Sequence, residues 1–391
     1  MNRVLILFLI AFFTLIATLE SFAASNKQVS PGISDPPKNN WGLLKIETEK
    51  SWSISQGNSA IIVAIIDTGA DINHPELKNN IWINSKEIPS NGIDDDNNGF
   101  VDDVHGWNFV NNTSNPFDAH GHGTHVTGIV KSVAPKVKFM ILKYFDPKSL
   151  SDKNLSNTVR AIDYAVEMGA HIINYSGGGF GSNPDEEAAI KRALDKNILF
   201  VAAAGNDTTN TDRNGFYPAS YDLSNIISVA SLTEESNLVD SSNYGKKTID
   251  IAAPGKEIYS TLPKGRYGKM TGTSQATAFV TGALAMLLDQ NREIKTPNKL
   301  IEYLVKTGEL EESLAGKTKY KTKLNTYRAL TMKDTNITAS GLIASNILHQ
   351  KNIFSSDISN VETELNSMLK NLDSKNPPRI PANNDTSLDK R

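Results

Sequence analysis

Three histidines fall within six residues of the segment AHGHGTHVTGIV (119–130), in a chain that has seven in all. His120, His122 and His125 stand at H-x-H-x-x-H spacing, a pattern able to present imidazole nitrogens to zinc. The same residues suit a second chemistry. One imidazole can act as a general base while the glycines let the chain pass close to a substrate. The rest of the sequence has to decide between a metal and a proton.

Three further segments set reactive groups at the ends of regular elements. IIDTGAD (65–71) closes an apolar run with Asp67. AAAGN (202–206) closes another with Gly205 and Asn206, and TGTSQATAFVTGALAMLL (271–288) places Ser274 at the head of a strongly apolar helical pattern. His122 in turn opens the helical pattern HGTHVTG (122–128). A serine hydroxyl is a weak nucleophile until a neighbouring base takes its proton. Carboxylate, imidazole and hydroxyl are the parts of such a device.

Taken together, the motifs around Asp67, His122 and Ser274, in that order, with the AAGN segment between the last two, resemble those of the subtilisin-like serine proteases over roughly residues 40–330. The resemblance implies that His122 is the base and that Asp67 fixes its tautomer. It implies Ser274 as the nucleophile and Asn206 as a side-chain donor to the oxyanion. His120 and His125 then become neighbours, with His125 packed within the helix. The zinc reading needs H-x-H-x-D-H, and Thr124 stands where that aspartate would be.

The segment NYSGGG (174–179) is similar to the family's substrate-binding stretch, so Ser176, Gly177 and Gly178 are expected to pair with a peptide as an added strand; the bland alternative is a plain glycine-rich loop. Gly177 replaces the usual leucine and removes an apolar wall. Around the nucleophile, Gln275, Ala278 and Phe279 replace the commoner Met, Pro and His, flanking Ser274 without displacing it.

DDDNNGFVDD (94–103) offers Asp94, Asp96, Asn98 and Asp102, with Gly99 available for a sharp turn. Hard oxygens at D-x-D-x-N-G spacing resemble the start of a calcium loop. His105 stands where a helix–loop–helix calcium hand has its bidentate glutamate, so that motif is excluded. The expectation is a structural calcium ion, with a solvated acidic loop as the alternative. No cofactor is expected for the chemistry itself.

The elements that must hold these residues are legible as runs. AIIVAIID (60–67), KFMILKY (138–144), HIINYS (171–176), ILFVAAAGN (198–206) and NIISVAS (225–231) are nearly continuous in apolar residues, as strands buried on both faces are. NLSNTVRAIDYAVEMG (154–169) and NPDEEAAIKRALDKN (183–197) carry apolar residues at helical spacing. Strands alternating with helices predict an α/β fold, a three-layer α/β/α arrangement with a mainly parallel central sheet. Polar groups at strand ends fall where such sheets place their sites. Residues 84–118 break the rhythm and are expected to be one long loop.

Composition narrows the function further. A net charge of −3 gives no electrostatic footing for nucleic acid or for an anionic membrane, so the expected partners are protein or peptide substrates. Cysteine is absent, which excludes disulfides, thiol catalysis and cysteine-ligated zinc. Residues 1–23 follow the order of a secretory signal, with Arg3, an apolar run from Val4 to Leu19 and small residues up to Ala23. That predicts export to a periplasm, a cell surface or the medium, with no membrane attachment after cleavage. Residues 24–40 are expected to be an arm too short for a folded prodomain, and 41–330 the catalytic domain. Residues 331–372 read as a helical extension with Ile358, Val361, Leu365, Met368 and Leu372 on one stripe, and 373–391 as a disordered tail. Two rivals stand beside the protease reading: an inactive binding protein that keeps the fold, and a metallohydrolase.

Overall fold

The run at 60–67 forms strand β1 (Ile62–Asp67), whose side chains alternate between two separate cores. Val63 and Ile65 join one with Phe139 and Ile141, while Ala64 and Ile66 join the other with Met140 and Leu142. A strand buried on both faces requires a helical layer on each side, and the computed structural model has both. It describes residues 40–147, 151–290 and 296–332. The expected signal segment, the arm as far as residue 39, the extension beyond Met332 and the tail lie outside the described residues. Asn40, at the end of the expected arm, is buried and caps the first helix through Gly42.

In chain order the strands after β1 are β2 (Gly106–Asn108), β3 (Lys138–Lys143), β4 (Ile172–Tyr175), β5 (Gly179–Phe180), β6 (Leu199–Ala203), β7 (Phe216–Tyr217) and β8 (Ile226–Leu232). They continue with β9 (Ile251–Pro254), β10 (Ile258–Leu262), β11 (Arg266–Met270), β12 (Glu309–Leu310) and β13 (Thr322–Lys323). Nine of them make one sheet in the order β12-β13-β9-β8-β6-β4-β1-β3-β2. Every pairing in it is parallel except β12 with β13. All five runs read as strands are strands of this sheet. The expected long loop at 84–118 is interrupted by β2, which extends the sheet by pairing with β3.

The helices are α1 (Trp41–Lys45), α2 (Thr48–Ser51), α3 (His122–Val133), α4 (Ser151–Glu167), α5 (Pro184–Asp195), α6 (Thr273–Gln290), α7 (Pro297–Thr307) and α8 (Thr326–Thr331). Residues of α3, α6 and α7 build the core on one face of the sheet, and residues of α4 and α5 the core on the other. In α6 every residue from Thr273 to Leu287 is buried, which is why that helix is apolar all round rather than striped. Gly282 lets it approach α3, since a Cβ there would stand 2.5 Å from the Cβ of Val133. The helices that begin at the predicted base and the predicted nucleophile are thereby packed side by side.

Candidate active site

Asp67 is the last residue of β1 and is 3% exposed. Its Oδ1 accepts from the backbone N–H of Thr68 at 2.7 Å and lies 2.7 Å from His122 Nδ1. The second bond assigns the tautomer. Nδ1 carries the proton that faces the carboxylate, leaving Nε2 free to accept one. Burial opposes protonation of the His122 ring. The charge and hydrogen bond of Asp67, with Asp118 adding its own charge, outweigh that and raise its pKa above the ordinary imidazole value.

What holds His122 in place is a second carboxylate that spacing did not single out. Asp118 is fully buried and accepts five hydrogen bonds: from Thr68 Oγ1, from the backbone N–H groups of His120, Gly121 and Thr124, and from Thr124 Oγ1. It satisfies N–H groups that the start of α3 leaves without intrahelical partners, and its charge favours the positive end of the helix dipole. An acidic residue just before a helical pattern is a readable signal of such capping. Gly123 is required beside it, because a Cβ would sit 2.1 Å from the carbonyl oxygen of Gly69 and 3.0 Å from Asp67.

The other two histidines take different places. His120 is exposed, its ring edge-on to that of His122 at 6.3 Å. His125 is fully buried, with Nε2 at 3.0 Å from the carbonyl oxygen of Ile258 and 3.1 Å from that of Gly268. Two carbonyl acceptors make Nε2 the protonated nitrogen. Burial, with the nearby His122, pushes its pKa down to about 3, so the ring is a neutral tie between α3 and the β10–β11 hairpin. The three rings do not converge on a common point.

Ser274 lies in the first turn of α6, where backbone N–H groups lack intrahelical acceptors. Its hydroxyl donates to the carbonyl oxygen of Ser176 at 3.0 Å, and Ser176 Oγ donates back to the Ser274 carbonyl at 3.2 Å. Behind Ser176, Asn174 Nδ2 donates to its Oγ, and Thr281 of α6 donates to Asn174 Oδ1. This chain of polar groups ties the segment after β4 to the helix that carries Ser274. Asn206 is exposed, and its Oδ1 accepts from the N–H and the hydroxyl of Thr273 at 2.9 and 3.2 Å. With the oxygen anchored by those donors, Nδ2 is the free end of the amide, available to a developing oxyanion.

Ser176, Gly177 and Gly178 leave β4 directly, beside this cluster. The space that a side chain at 177 would fill is already taken: a Cβ there would meet the hydroxyl of Tyr144 at 2.2 Å. The Tyr144 hydroxyl thus occupies the place where the Cβ of the family's usual leucine would stand.

In the acidic loop the residues gather differently from their order in sequence. Carboxylate oxygens of Glu87, Asp94 and Asp96 lie within 4.8 Å of one another, and Glu87, which the D-x-D-x-N spacing does not include, is the buried member. Asp102 is turned to the N–H groups of Asn91 and Gly92, and Asn98 Oδ1 accepts from Phe100 N–H. Burial raises the Glu87 pKa, the Asp103 charge adds to it, and N–H groups of Asp96, Asp95 and Asp102 work against it.

Residues 58–336 match the subtilase family. Thermitase from Thermoactinomyces vulgaris is 34% identical over 302 residues, which cover 74% of this chain and 95% of that protein. Subtilisin-like protease 1 of Plasmodium berghei is 34% identical over 284 residues, and the chain spans about half of that relative, 47% of its length. Among solved structures, the epidermin leader peptide processing serine protease of Staphylococcus aureus is 28% identical with a TM-score of 0.62, covering 78% of this chain and 83% of that one.

Proposed function

This chain belongs to the subtilase family, and on that premise we propose that it is an exported serine endopeptidase that cleaves peptide bonds through a covalent acyl-enzyme. The observation that carries the reading is the hydrogen bond between the buried Asp67 and His122, beside a serine at a helix start with a free amide donor opposite. Ser274 Oγ attacks the carbonyl carbon as its proton passes to His122 Nε2. Asn206 Nδ2 and the backbone N–H at Ser274 stabilise the oxyanion. His122 then gives the proton to the leaving amine, and water reverses the sequence on the ester.

The resting hydroxyl points at Ser176 rather than towards the base. A peptide that adds as a strand along Ser176–Gly178 offers its own N–H to the Ser176 carbonyl and so releases Ser274 to turn to His122. Substrate binding and activation of the nucleophile are thus one event. Export is supported by the charged, apolar and small-residue order of positions 1–23. Among the described residues no helix is long and apolar enough to cross a membrane.

The acidic loop belongs to the same reading as a structural calcium site. Three carboxylates at Glu87, Asp94 and Asp96 are the hard, flexible oxygen set that calcium takes, and one of them is buried against like charge. The ion would supply stability to the loop and take no part in the chemistry.

Labelling with a serine-directed fluorophosphonate tests the function. The full chain should label and hydrolyse denatured protein, and Ser274→Ala should abolish labelling and lower turnover by about 10⁶-fold. Turnover in Ser274→Ala within a factor of ten of the parent would overturn the reading, and so would loss of activity to a zinc chelator in place of the fluorophosphonate.

A further inference from the structure

Beside Ser274 the cleft has a floor made of one side chain. Strands β4 and β6 are parallel neighbours, with Tyr175 opposite Ala202. The segments that leave them, Ser176–Gly178 and Ala204–Asn206, run on either side of a gap. Ser176 is hydrogen-bonded to Ser274 across one wall, and Asn206 to the start of α6 across the other. A peptide lying along the first wall, with its carbonyl carbon at Ser274 Oγ and its oxygen towards Asn206, has only one direction left for the side chain of that residue. Two of the four bonds of its α-carbon continue the main chain, and the side chain turns into the gap.

Phe216 of β7 fills that gap from below. A Cβ at Gly178 would lie 2.4 Å from its ring, and one at Gly205 2.9 Å. Both walls therefore press on the same ring, and both need glycine where they touch it. Phe216 as a whole is 8% exposed. Its backbone is fixed by pairing of β7 with β5, Phe180 opposite Phe216 and Tyr217 opposite Gly179, and the Phe180 ring packs edge-on at 5.4 Å. A large substrate side chain would have to displace a ring wedged between two backbone segments, whereas a methyl group or a hydrogen needs no such movement.

We infer that Phe216 is the specificity-determining residue of the cleft. It admits peptides with glycine, alanine or serine before the cleaved bond and excludes long aliphatic and aromatic side chains there. The inference rests on the endopeptidase reading and names the substrate class of that site.

The experiment compares peptides identical except for Ala, Leu or Phe before the cleaved bond. Each is assayed with the full chain and with Phe216→Leu and Phe216→Ala, the active sites being counted by fluorophosphonate labelling. The readout is the ratio of kcat/KM values within one preparation, which partial unfolding of a variant does not change. The parent should favour Ala over Phe by about a hundredfold; Phe216→Leu should narrow that ratio, and Phe216→Ala should bring it to about unity or invert it. A labelled parent that cleaves the Phe and Ala peptides within about threefold of each other overturns the assignment, as do ratios unchanged in both variants. A parent that fails to label removes the endopeptidase reading itself, a different outcome from indifference to side-chain size.

Discussion

Two regions of this molecule bury carboxylates and dispose of their charge in different ways. At the edge of β1, Asp67 faces an imidazole, and Asp118 is enclosed by five donors at the start of α3. In the loop between Asn84 and Asp103, Glu87, Asp94 and Asp96 crowd together with donors that are backbone N–H groups and the side-chain amide of Asn84. Among the described residues no ion pair reaches any of those three. Negative charge that must act on a proton is balanced inside the chain, where geometry can be held to a fraction of an ångström. Negative charge in the acidic loop meets only neutral donors among the described residues, and the calcium ion proposed for it would supply the balance.

The comparison breaks first at Asp67. Asp67→Asn keeps the shape of the site but removes the charge and the reason for the His122 tautomer, so kcat should fall by about 10⁴-fold. The pH profile carries the sharper test. The proposed mechanism needs a neutral His122, whose pKa burial lowers and Asp67 raises by more. The acid limb of kcat/KM should therefore lie above the ordinary imidazole pKa of about 6.5, and the residual activity of the variant should extend to lower pH. An acid limb at the same pH in both proteins would show that Asp67 does not hold the charge of His122.

In the acidic loop the expected effect is on stability alone. An ion bound only by the folded chain stabilises it by about 2.7 kcal/mol at a hundred times its dissociation constant. Calcium should raise Tm over that in a chelator, and Glu87→Gln or loss of Asp94 and Asp96 together should erase the difference while leaving activity per active site unchanged. Equal Tm values with and without the chelator would mean that the three carboxylates are balanced by their N–H donors alone. The loop would then differ from the catalytic edge less than its composition suggests.

The proposed catalytic residues stand out in the sequence more plainly than the acidic-loop residues do, for a physical reason. Asp67, His122, Asn206 and Ser274 all sit where an apolar run meets a polar turn, and apolar periodicity marks such junctions. The five strands read from the sequence were visible because burial on both faces makes them continuous in apolar residues. Strands β9, β10 and β11 were not: β9 runs into Pro254, Gly255 and Lys256, and β10 (IYSTL) and β11 (RYGKM) mix polar with apolar residues. Glu87 was missed because it joins Asp94 and Asp96 only through the path of the loop, which no local spacing encodes. Phe216 was missed for the same cause: it reaches Gly178 and Gly205 by the pairing of two two-residue strands.

The smallest effect separates the two histidines of α3, of which His125 is buried and His122 is partly exposed. His125 ionises only near pH 3, whereas in the unfolded chain its pKa is about 6.5. Between those values the unfolded chain binds the extra proton, so the contribution of His125 to stability falls as pH falls through this window. His122 works in the opposite sense. Its folded pKa is raised, so its contribution is present below about 6.5 and is lost as pH rises through the folded value. In a Ser274→Ala background, which prevents self-digestion, His122 is common to parent and variant and largely cancels. His125→Gln keeps a donor for the carbonyls of Ile258 and Gly268 but cannot ionise. It should cost stability at pH 7 through imperfect packing, yet lose less than the parent on acidification, the difference amounting to about 2 kcal/mol at pH 5. Urea midpoints measured from pH 7 to pH 4 give both slopes. Parallel curves would mean that His125 is not held neutral, and that the tie between α3 and the β10–β11 hairpin survives a charge in the core.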